Sequence, residues 1–420
     1  MNRANVTGHG TDTRVAARTI AVVGASLAGL RAAEELRRQG FDGRLVLIGD
    51  EVHLPYDRPP LSKKVLAGVQ QHESIVLPLA GDLDAEWELG RRAEGFDAAT
   101  CTVTLDDGRT IVADGVVIAT GASPRRLPGW PDAEGVHVLR SIDDCLALRA
   151  DLDQEPARVV VIGAGFIGAE VAATARTAGL DVTVLEALPM PLVRGLGEEM
   201  GAVCADIHRD HGVDLRLSTG VAGIDVDGAG RVARVQLADG SAVDADVVVV
   251  GVGVAPNTAW LEGSGLVLAD GVVCDETCLA APGVVAAGDI ARWPNQRFDE
   301  VMRVEHWDNA QEQGDHAART LLADLAGGRG APFAPVPWFW SDQYDRKLQV
   351  AGRSSSDAEV RVVEGDVAER RFVALYGKSG RLVAALGMNR PRHVMQWRAR
   401  IEAGMRWDAA LELAAAEPGA

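Results

Sequence analysis

A chain of 420 residues is too long for a single hydrophobic core and predicts two or three domains. Hydrophobic residues make up 47% of it, yet no apolar run reaches the ~18 residues that a membrane-spanning helix needs. The formal net charge of −18 argues against nucleic acid, whose binding needs a basic surface. We therefore expect a globular protein with neither a membrane nor a nucleic acid as its partner.

Two features of the sequence bear on its location. Residues 1–18 are polar and lack the apolar stretch of a secretory signal peptide, so we expect them to form a disordered tail. The cysteines are odd in number and scattered: Cys101, Cys145, Cys204, Cys274 and Cys278. This pattern fits a reducing compartment better than a disulfide framework. It predicts a cytoplasmic protein, and we predict no metal site.

The first recognisable unit runs from Thr19 to Asp50. An apolar run leads into the turn Gly24-Ala25-Ser26-Leu27-Ala28-Gly29, a helical pattern follows, and a second apolar run ends at Asp50. This order predicts a βαβ unit that binds a dinucleotide, with the pyrophosphate at the helix N-terminus and Asp50 on a ribose. The middle glycine of the motif is replaced by Ser26. Taken alone, the motif is explained equally well by an ordinary tight turn.

A proline-rich segment follows, from His53 to Lys64. Its prolines predict that no regular element forms before Leu61, and Ser62 predicts the start of a short helix. The segment is either a rigid loop alone or a loop that delivers Lys63 to the crevice beside the first glycine turn.

Three later positions stand out at the ends of apolar runs. Residues 115–118 lead into Ala119-Thr120-Gly121, which marks the exit from the first nucleotide unit. Arg140 ends a short apolar run just before an acidic helix start. Asp289 follows the apolar run 283–287, where it serves either as a helix N-cap or as a ligand of a polyol or phosphate.

The second dinucleotide motif is complete. The strand pattern 158–162 leads into Gly163-Ala164-Gly165-Phe166-Ile167-Gly168, a helix follows, and the next strand ends at Glu186, 23 residues after Gly163. We predict a dinucleotide site here. A carboxylate at Glu186 would bind the ribose diol and repel a 2′-phosphate, which favours NADH over NADPH, although the nearby Arg194 weakens this preference.

Glu170 lies two residues after the last glycine, and the pattern places it in the first turn of the helix. An acid there complements the helix dipole, which is worth ~0.3–1 kcal/mol. The alternative is that Glu170 points to the nicotinamide and pairs with Lys63.

From about Pro332 the pattern changes to that of a smaller domain. Alternating stretches predict strands at 345–352, 359–363, 371–376 and 381–386, and residues 396–416 predict a helix. Residues 370–406 carry nine Lys/Arg against one acid, Glu402. This charge run is either a solvated face or a docking surface for an acidic partner, whose encounter it would speed.

These motifs resemble a known family. The two glycine turns, about 140 residues apart, together with Thr120-Gly121 and Gly288-Asp289, resemble the two-dinucleotide-binding flavoproteins. More narrowly, residues 55–63, 305–314 and 337–344 resemble the ferredoxin reductases of bacterial oxygenase and cytochrome P450 systems, the putidaredoxin reductase-like group. The resemblance covers about residues 18–400, and Ser26 is its departure from the family pattern.

The resemblance implies an α/β fold with two Rossmann-like dinucleotide-binding domains and a smaller α+β C-terminal domain. We predict a discontinuous FAD-binding domain at residues 19–124 and 250–331. An NAD-binding domain is predicted at 125–249 and the C-terminal domain at 332–420.

The resemblance also implies the site residues. FAD is expected on Gly24, Ala28, Gly29, Asp50, Lys63, Ala93, Thr120, Gly121, Arg140, Asp289 and Trp307. Within this set, Trp307 would offer a backbone N–H to the flavin at a helix N-terminus, and Asp289 would bind the ribityl chain. NADH is expected on Gly163, Gly165, Gly168, Glu170 and Glu186.

The implied activity is hydride transfer from NADH to FAD, then single-electron transfer to an acidic [2Fe–2S] ferredoxin. Lys63 and Glu170 are expected to form an ion pair beside the flavin. Two alternatives stay open. An NADH oxidase or peroxidase usually needs a reactive cysteine near the flavin, and residues 51–100 contain none. The other alternative is a redox-sensing FAD/NAD-binding protein.

Overall fold

The computed structural model describes residues 19–81, 83–126, 129–154, 158–355 and 357–416, apart from the side chain of Arg194. The predicted tail at 1–18 lies outside these ranges. Within them, no helix combines the length and the apolar character needed to cross a membrane.

Seven α-helices lie in the described ranges: α1 Leu27–Arg38, α2 Ile142–Leu152, α3 Phe166–Thr177, α4 Val193–Asp210, α5 Trp307–Leu325, α6 Pro391–Glu402 and α7 Trp407–Ala416. Short 3₁₀ helices occupy Pro59–Ser62, His72–Ile75, Ala259–Leu261 and Gly288–Ile290.

Two sheets are built mainly from parallel strands. The first has the spatial order Leu279–Ala281, Val284–Ala286, Gly115–Ile118, Thr19–Val23, Arg44–Gly49, Glu86–Leu89. The second has the order Asp214–Arg216, Val182–Leu185, Val159–Ile162, Val247–Val250, Val136–His137. Each glycine turn therefore follows a central strand, at the edge where the carboxyl ends of the strands meet, which is where ligands bind in such folds.

The C-terminal sheet is antiparallel, with the order Trp338–Gln343, Arg346–Gly352, Arg381–Met388, Arg371–Lys378, Glu359–Asp366. Smaller sheets comprise Ala93–Asp97 with Thr102–Leu105 and Thr110–Val112, Val221–Val226 with Val232–Leu237 and Ala242–Asp244, Val272–Val273 with Ala291–Asn295 and Glu300–Met302, and Ala122–Pro124 with Val254–Pro256. This architecture confirms the predicted α/β fold class with its smaller α+β C-terminal part.

Two local predictions of helices were wrong, and one strand was not predicted. The short helix ends at Ser62 instead of starting there, because Pro59 and Pro60 fit the first turn of a helix, where no N–H is needed. The single helix predicted at 396–416 is two helices, since the chain turns at Gly404 with φ +72°. The strand Trp338–Gln343 was not predicted.

Two packing contacts position the site. Helices α1 and α5 approach closely, because a Cβ on Gly314 would lie 2.5 Å from the carbonyl oxygen of Ala28. Helix α4 packs on the C-terminal sheet through an apolar cluster that includes Leu196, Met200 and Phe372. Helix α4 lies in the chain between two strands of the second parallel sheet, so this contact joins the C-terminal sheet to that sheet's region.

Candidate functional site

A cavity of about 860 Å³ lies where the two glycine-turn regions and the C-terminal sheet meet. Its wall contains ten of the eleven residues predicted to bind FAD: Gly24, Ala28, Asp50, Lys63, Ala93, Thr120, Gly121, Arg140, Asp289 and Trp307. The eleventh, Gly29, follows in the chain directly after Ala28 and is not part of the wall. Glu170 reaches the same wall from α3, together with Phe166 and Ile167.

The glycines of the first turn are required by backbone packing. Gly24 has φ +117°, and a Cβ on it would lie 2.1 Å from the carbonyl oxygen of Ala119. A Cβ on Gly29 would lie 1.9 Å from the carbonyl oxygen of Gly24. Ser26 is the N-cap of α1, but its side chain makes no capping hydrogen bond. The first amides of α1 are therefore available to an anion in the cavity.

Arg58 is a site residue that the sequence analysis missed. Its guanidinium donates to Ser26 Oγ at 3.3 Å, to Glu51 Oε1 at 2.6 Å and to the carbonyl oxygen of Arg140 at 2.7 Å. Arg58 lines the cavity beside the start of α1. It thus places a guanidinium, ion-paired with Glu51, next to the position where the motif has serine instead of glycine.

Lys63 and Glu170 form an ion pair, with Nζ 2.6 Å from Oε2. Ser62 Oγ donates to the same carboxylate oxygen at 2.5 Å, and Ser341 Oγ donates to Oε1 at 2.7 Å. The Glu170 side chain is only 3% exposed. Because α3 starts at Phe166, Glu170 lies in the second helical turn instead of the predicted first. Three separated parts of the chain meet at this carboxylate.

The wall also carries a second ion pair and a helix N-terminus. Arg140 Nη2 lies 2.8 Å from Asp289 Oδ2. Helix α5 begins at Trp307, whose indole N–H donates to Asp57 Oδ1 at 2.7 Å. Burial raises the pKa of Asp57, and the indole hydrogen bond opposes that rise. The positive end of the α5 dipole therefore points toward the cavity.

Asp308 follows Trp307 and faces the protein interior. Oδ2 accepts the backbone N–H of Trp338 at 3.1 Å, and Oδ1 has no hydrogen-bond partner among the described residues. Burial raises the pKa of Asp308 to about 7, with the nearby Glu312 acting in the same direction. This carboxyl joins the start of α5 to the C-terminal sheet.

The second glycine turn is fixed by close backbone contacts of the same kind. A Cβ on Gly163 (φ +96°) would lie 2.5 Å from the carbonyl oxygen of Gly251, and one on Gly168 would lie 2.1 Å from that of Gly163. At Gly165 the nearest atom would be 3.9 Å away, which leaves room for a ligand. Glu186 accepts the N–H of Ala164 at 2.7 Å and that of Leu188 at 2.8 Å. These residues lie beyond the cavity wall described above, and the Arg194 side chain lies outside the description.

The wall fits a bound dinucleotide. Trp260 Nε1 and His306 Nδ1 belong to wall residues, are buried, and have no hydrogen-bond partner in the described part of the chain. Burial lowers the pKa of His306 to about 4, so its ring is neutral at ordinary pH. Both nitrogens are enclosed by protein, so the fit rests on the uncapped first amides of α1, which line the cavity beside Gly24.

The cysteines are separate from this site. All five are buried and free, and the cavity wall described here includes none of them. Burial raises the pKa of Cys145 to about 11 and that of Cys204 and Cys274 to about 12. Thiols of this kind are poor nucleophiles, since the thiolate is the reactive form.

Five of the nine basic residues at 370–406 form ion pairs with acids of this chain. Arg370 pairs with Asp206 and Asp210, and the remaining pairs are Lys378–Asp357, Arg390–Glu364, Arg398–Glu312 and Arg406–Asp408. Among the described residues, four basic side chains of this run form no ion pair: Arg371, Arg381, Arg392 and Arg400. A docking surface of the predicted kind would be smaller than the sequence count indicates.

Comparison with known proteins identifies the family of this chain. Residues 18–314 match the family model described as pyridine nucleotide-disulphide oxidoreductase, and residues 338–418 match the model described as reductase C-terminal. A ferredoxin reductase subunit of 5,5′-dehydrodivanillate O-demethylase from Sphingobium sp. (strain NBRC 103272 / SYK-6) is 40% identical, over 92% of this chain and 94% of its own length. Rhodocoxin reductase from Rhodococcus erythropolis is 40% identical, over 90% and 88%.

A solved structure is also similar along nearly the whole chain. The crystal structure of the covalent putidaredoxin reductase–putidaredoxin complex matches with a TM-score of 0.85 and 34% identity, covering 91% of this chain and 93% of that one. Membership of this family implies binding of FAD and NAD(P)H. The resemblance predicted from the motifs is confirmed: the chain belongs to the pyridine nucleotide-disulphide oxidoreductase family, in its putidaredoxin reductase-like group of ferredoxin reductases.

Proposed function

We propose that this protein is an NADH-dependent flavoprotein reductase that passes electrons through FAD, one at a time, to a [2Fe–2S] ferredoxin. That ferredoxin would serve a cytochrome P450 or a Rieske-type oxygenase. The supporting observation is the shared cavity, whose wall holds both the first glycine turn and the Lys63–Glu170 pair. One relative named above is the ferredoxin reductase subunit of an O-demethylase, and the similar solved structure is of a reductase in complex with putidaredoxin, which supports the same partner class.

The cofactor supplies the redox chemistry, since FAD can accept a hydride and release electrons singly. The chain's own residues would bind and orient it. The open amides of α1 and the Arg58 guanidinium would hold the pyrophosphate, and Asp289 would hold the ribityl chain. The N-terminus of α5 at Trp307 would stabilise negative charge at the flavin ring.

The second glycine turn would hold the nicotinamide nucleotide. Gly165 leaves space for the pyrophosphate, and Glu186 would accept hydrogen bonds from the ribose diol while repelling a 2′-phosphate. We therefore propose NADH as the preferred donor. In this scheme residues 19–124 and 250–331 form the FAD-binding domain, 125–249 the NAD-binding domain and 332–420 the C-terminal domain.

An NADH oxidase or peroxidase is the weaker alternative. The reactive thiol on which that class usually relies has no counterpart in the described cavity wall, and the cysteines are buried with raised pKa values. Electrons would therefore leave through a protein partner.

The test uses the purified protein with FAD, NADH, cytochrome c and a panel of [2Fe–2S] ferredoxins, starting with any that is encoded beside this gene. We expect rapid NADH-dependent cytochrome c reduction only when a suitable ferredoxin is present, and slow oxygen consumption without it. Rapid oxygen consumption that ignores ferredoxin would support the oxidase. Protein that stays colourless after incubation with FAD would overturn the proposal.

A further inference from the structure

A line of buried polar side chains runs from Glu170 toward His208 on helix α4. Ser341 Oγ donates to Glu170 Oε1 at 2.7 Å, and Gln343 Nε2 donates to Ser341 Oγ at 3.2 Å. The Gln343 side chain lies next to the His208 ring and acts on its pKa as a polar neighbour. The Tyr344 hydroxyl lies 3.1 Å from His208 Nδ1. We call Tyr344, His208, Gln343 and Ser341 the donor chain.

The donor chain lies in surroundings that are otherwise apolar. The interface between α4 and the C-terminal sheet contains Leu196, Ile207, Leu348 and Phe372, among other hydrophobic side chains. Ser341, Gln343 and His208 are at most 4% exposed. Burying polar groups in such a place costs free energy unless each is hydrogen-bonded, so a polar line through it calls for a role.

Every hydrogen bond of the line points the same way. Burial lowers the pKa of His208 to about 4, so the ring is neutral and has one donor and one acceptor nitrogen. Burial also raises the pKa of Tyr344, which keeps its hydroxyl protonated. Nδ1 of His208 then accepts from Tyr344, so the other ring nitrogen carries the proton and can donate toward Gln343. The series of donors ends on the Glu170 carboxylate.

The backbone at Tyr344 is an independent sign of constraint. Its φ is +55°, in the left-handed region that bulky residues avoid, within the two-residue turn between the strands Trp338–Gln343 and Arg346–Gly352. Asn or Gly would suit this turn better. The tyrosine side chain stacks on His211, with ring centroids 3.7 Å apart, and its hydroxyl starts the donor chain.

We propose that Ser341, Gln343 and His208 are positioning residues, which fix the Glu170 carboxylate and through it the Lys63 ammonium at the cofactor cavity. This inference rests on the proposed function only in taking the Lys63–Glu170 pair as part of the hydride-transfer site. Lys63 Nζ and Ser62 Oγ occupy Oε2, so the donor chain holds the other carboxylate oxygen. A carboxylate held on both oxygens has one orientation, and its partner ammonium is held with it.

The test compares Gln343→Met with Tyr376→Phe. Tyr376 donates its hydroxyl to the carbonyl oxygen of Leu196 at 2.9 Å, so the control removes a buried hydrogen bond from the same interface without touching the donor chain. We expect Gln343→Met to lower the limiting rate of flavin reduction by NADH about tenfold, while the half-saturating NADH concentration changes less than about twofold. Tyr376→Phe should keep the wild-type rate.

A second readout does not depend on catalysis. Nitrogen NMR of histidine-labelled protein should show His208 as one neutral tautomer that accepts at Nδ1, in the wild type and in Tyr376→Phe, but as a mixture in Gln343→Met. His208→Gln, which keeps a donor and an acceptor, should retain more of the flavin reduction rate than His208→Phe. Should Gln343→Met fail to bind FAD, Ser341→Ala, which removes the last donor alone, takes its place.

Equal reduction rates and equal His208 spectra in Gln343→Met and Tyr376→Phe would overturn the positioning role. Both readouts are taken without ferredoxin. A wild type that reduces its flavin with NADH but passes nothing to any ferredoxin would therefore contradict the proposed function and leave this inference standing.

Discussion

The two glycine turns share a backbone but differ in what surrounds them. In both, the first and last glycines are fixed by close backbone contacts, at Gly24 and Gly29 and at Gly163 and Gly168. The first turn carries Ser26 with Arg58 against it, and its strand acid, Asp50, is exposed. In the second turn the middle position is Gly165, with open space beside it.

The acidic residues that end the two strands also differ in their surroundings. Glu186 turns back to accept two backbone N–H groups of its own region, whereas Asp50 has no such hydrogen bond recorded among the described residues. One motif thus forms two kinds of site: a turn beside the guanidinium of an Arg58–Glu51 ion pair, and a turn whose acid is held in place. We infer that the first suits a resident cofactor and the second a nucleotide that exchanges.

The largest expected effect comes from the glycines that the backbone requires. Gly24→Ala places a Cβ 2.1 Å from a backbone oxygen at φ +117°, so we expect destabilisation of roughly 4 kcal/mol or more and protein without FAD. Gly165→Ala is the matched control, since its φ is −71° and its nearest neighbour is 3.9 Å away. It should fold, retain FAD and bind NADH more weakly. Flavin absorbance and NADH titration measure both effects, and equal loss of FAD in the two variants would contradict the comparison.

The region proposed to bind FAD also differs from the second glycine-turn region because it contains a buried carboxyl, that of Asp308. Its pKa of about 7 exceeds the ordinary 3.8, so the folded state binds the proton more tightly than the unfolded state. This contribution is complete below pH ~4 and is lost as pH rises through about 7, a decrease of roughly 3–4 kcal/mol in the free energy of unfolding. Asp308→Asn should remove that slope. Urea unfolding of both proteins at pH 5 and pH 8 measures it, and parallel pH dependences would show that the carboxyl is not the source.

Much of this comparison could be predicted from sequence. Glycine turns, strand acids and the Lys63 segment are local patterns, and the ends of parallel strands bring them together by topology. Arg58 and Ser341 could not be predicted, because their contacts join residues 32 and 171 positions apart and depend on packing. The proline helix at Pro59–Ser62 was missed because proline, usually a breaker, is favoured in a first turn.

Lys63 connects the two glycine-turn regions, because it pairs with Glu170 of the helix that follows the second turn. Lys63→Met keeps the length of the side chain but removes its charge, leaving the buried Glu170 carboxylate without its cation. We expect flavin reduction by NADH to slow roughly tenfold to a hundredfold, since hydrogen bonds to charged groups are worth ~1.5–3 kcal/mol. Stopped-flow absorbance measures the rate, and Lys64→Met, beside it in sequence, is the control. Unchanged FAD content and an unchanged rate would deprive the pair of its functional meaning.

A substitution at Glu186 tests the proposed nicotinamide nucleotide site alone. Glu186→Gln removes the charge that would repel a 2′-phosphate but keeps a side chain of the same shape. The ratio of kcat/KM for NADH to that for NADPH should fall about tenfold. Asp50→Asn makes the corresponding change on the FAD side and should leave the ratio as it is. An unchanged ratio in Glu186→Gln would show that nucleotide preference is set elsewhere.

The smallest effect is expected where the two turns differ by one hydroxyl. Ser26→Gly gives the first turn the glycine of the second and removes a 3.3 Å hydrogen bond from Arg58, which keeps its stronger contacts with Glu51 and the Arg140 carbonyl. Glycine also replaces serine well as an N-cap, so the dissociation constant for FAD should change by less than about threefold. Titration of FAD into the flavin-free protein measures it. Binding tightened about tenfold would mean that the hydroxyl competes with the phosphate for space, and that Arg58 is no compensation for the missing glycine.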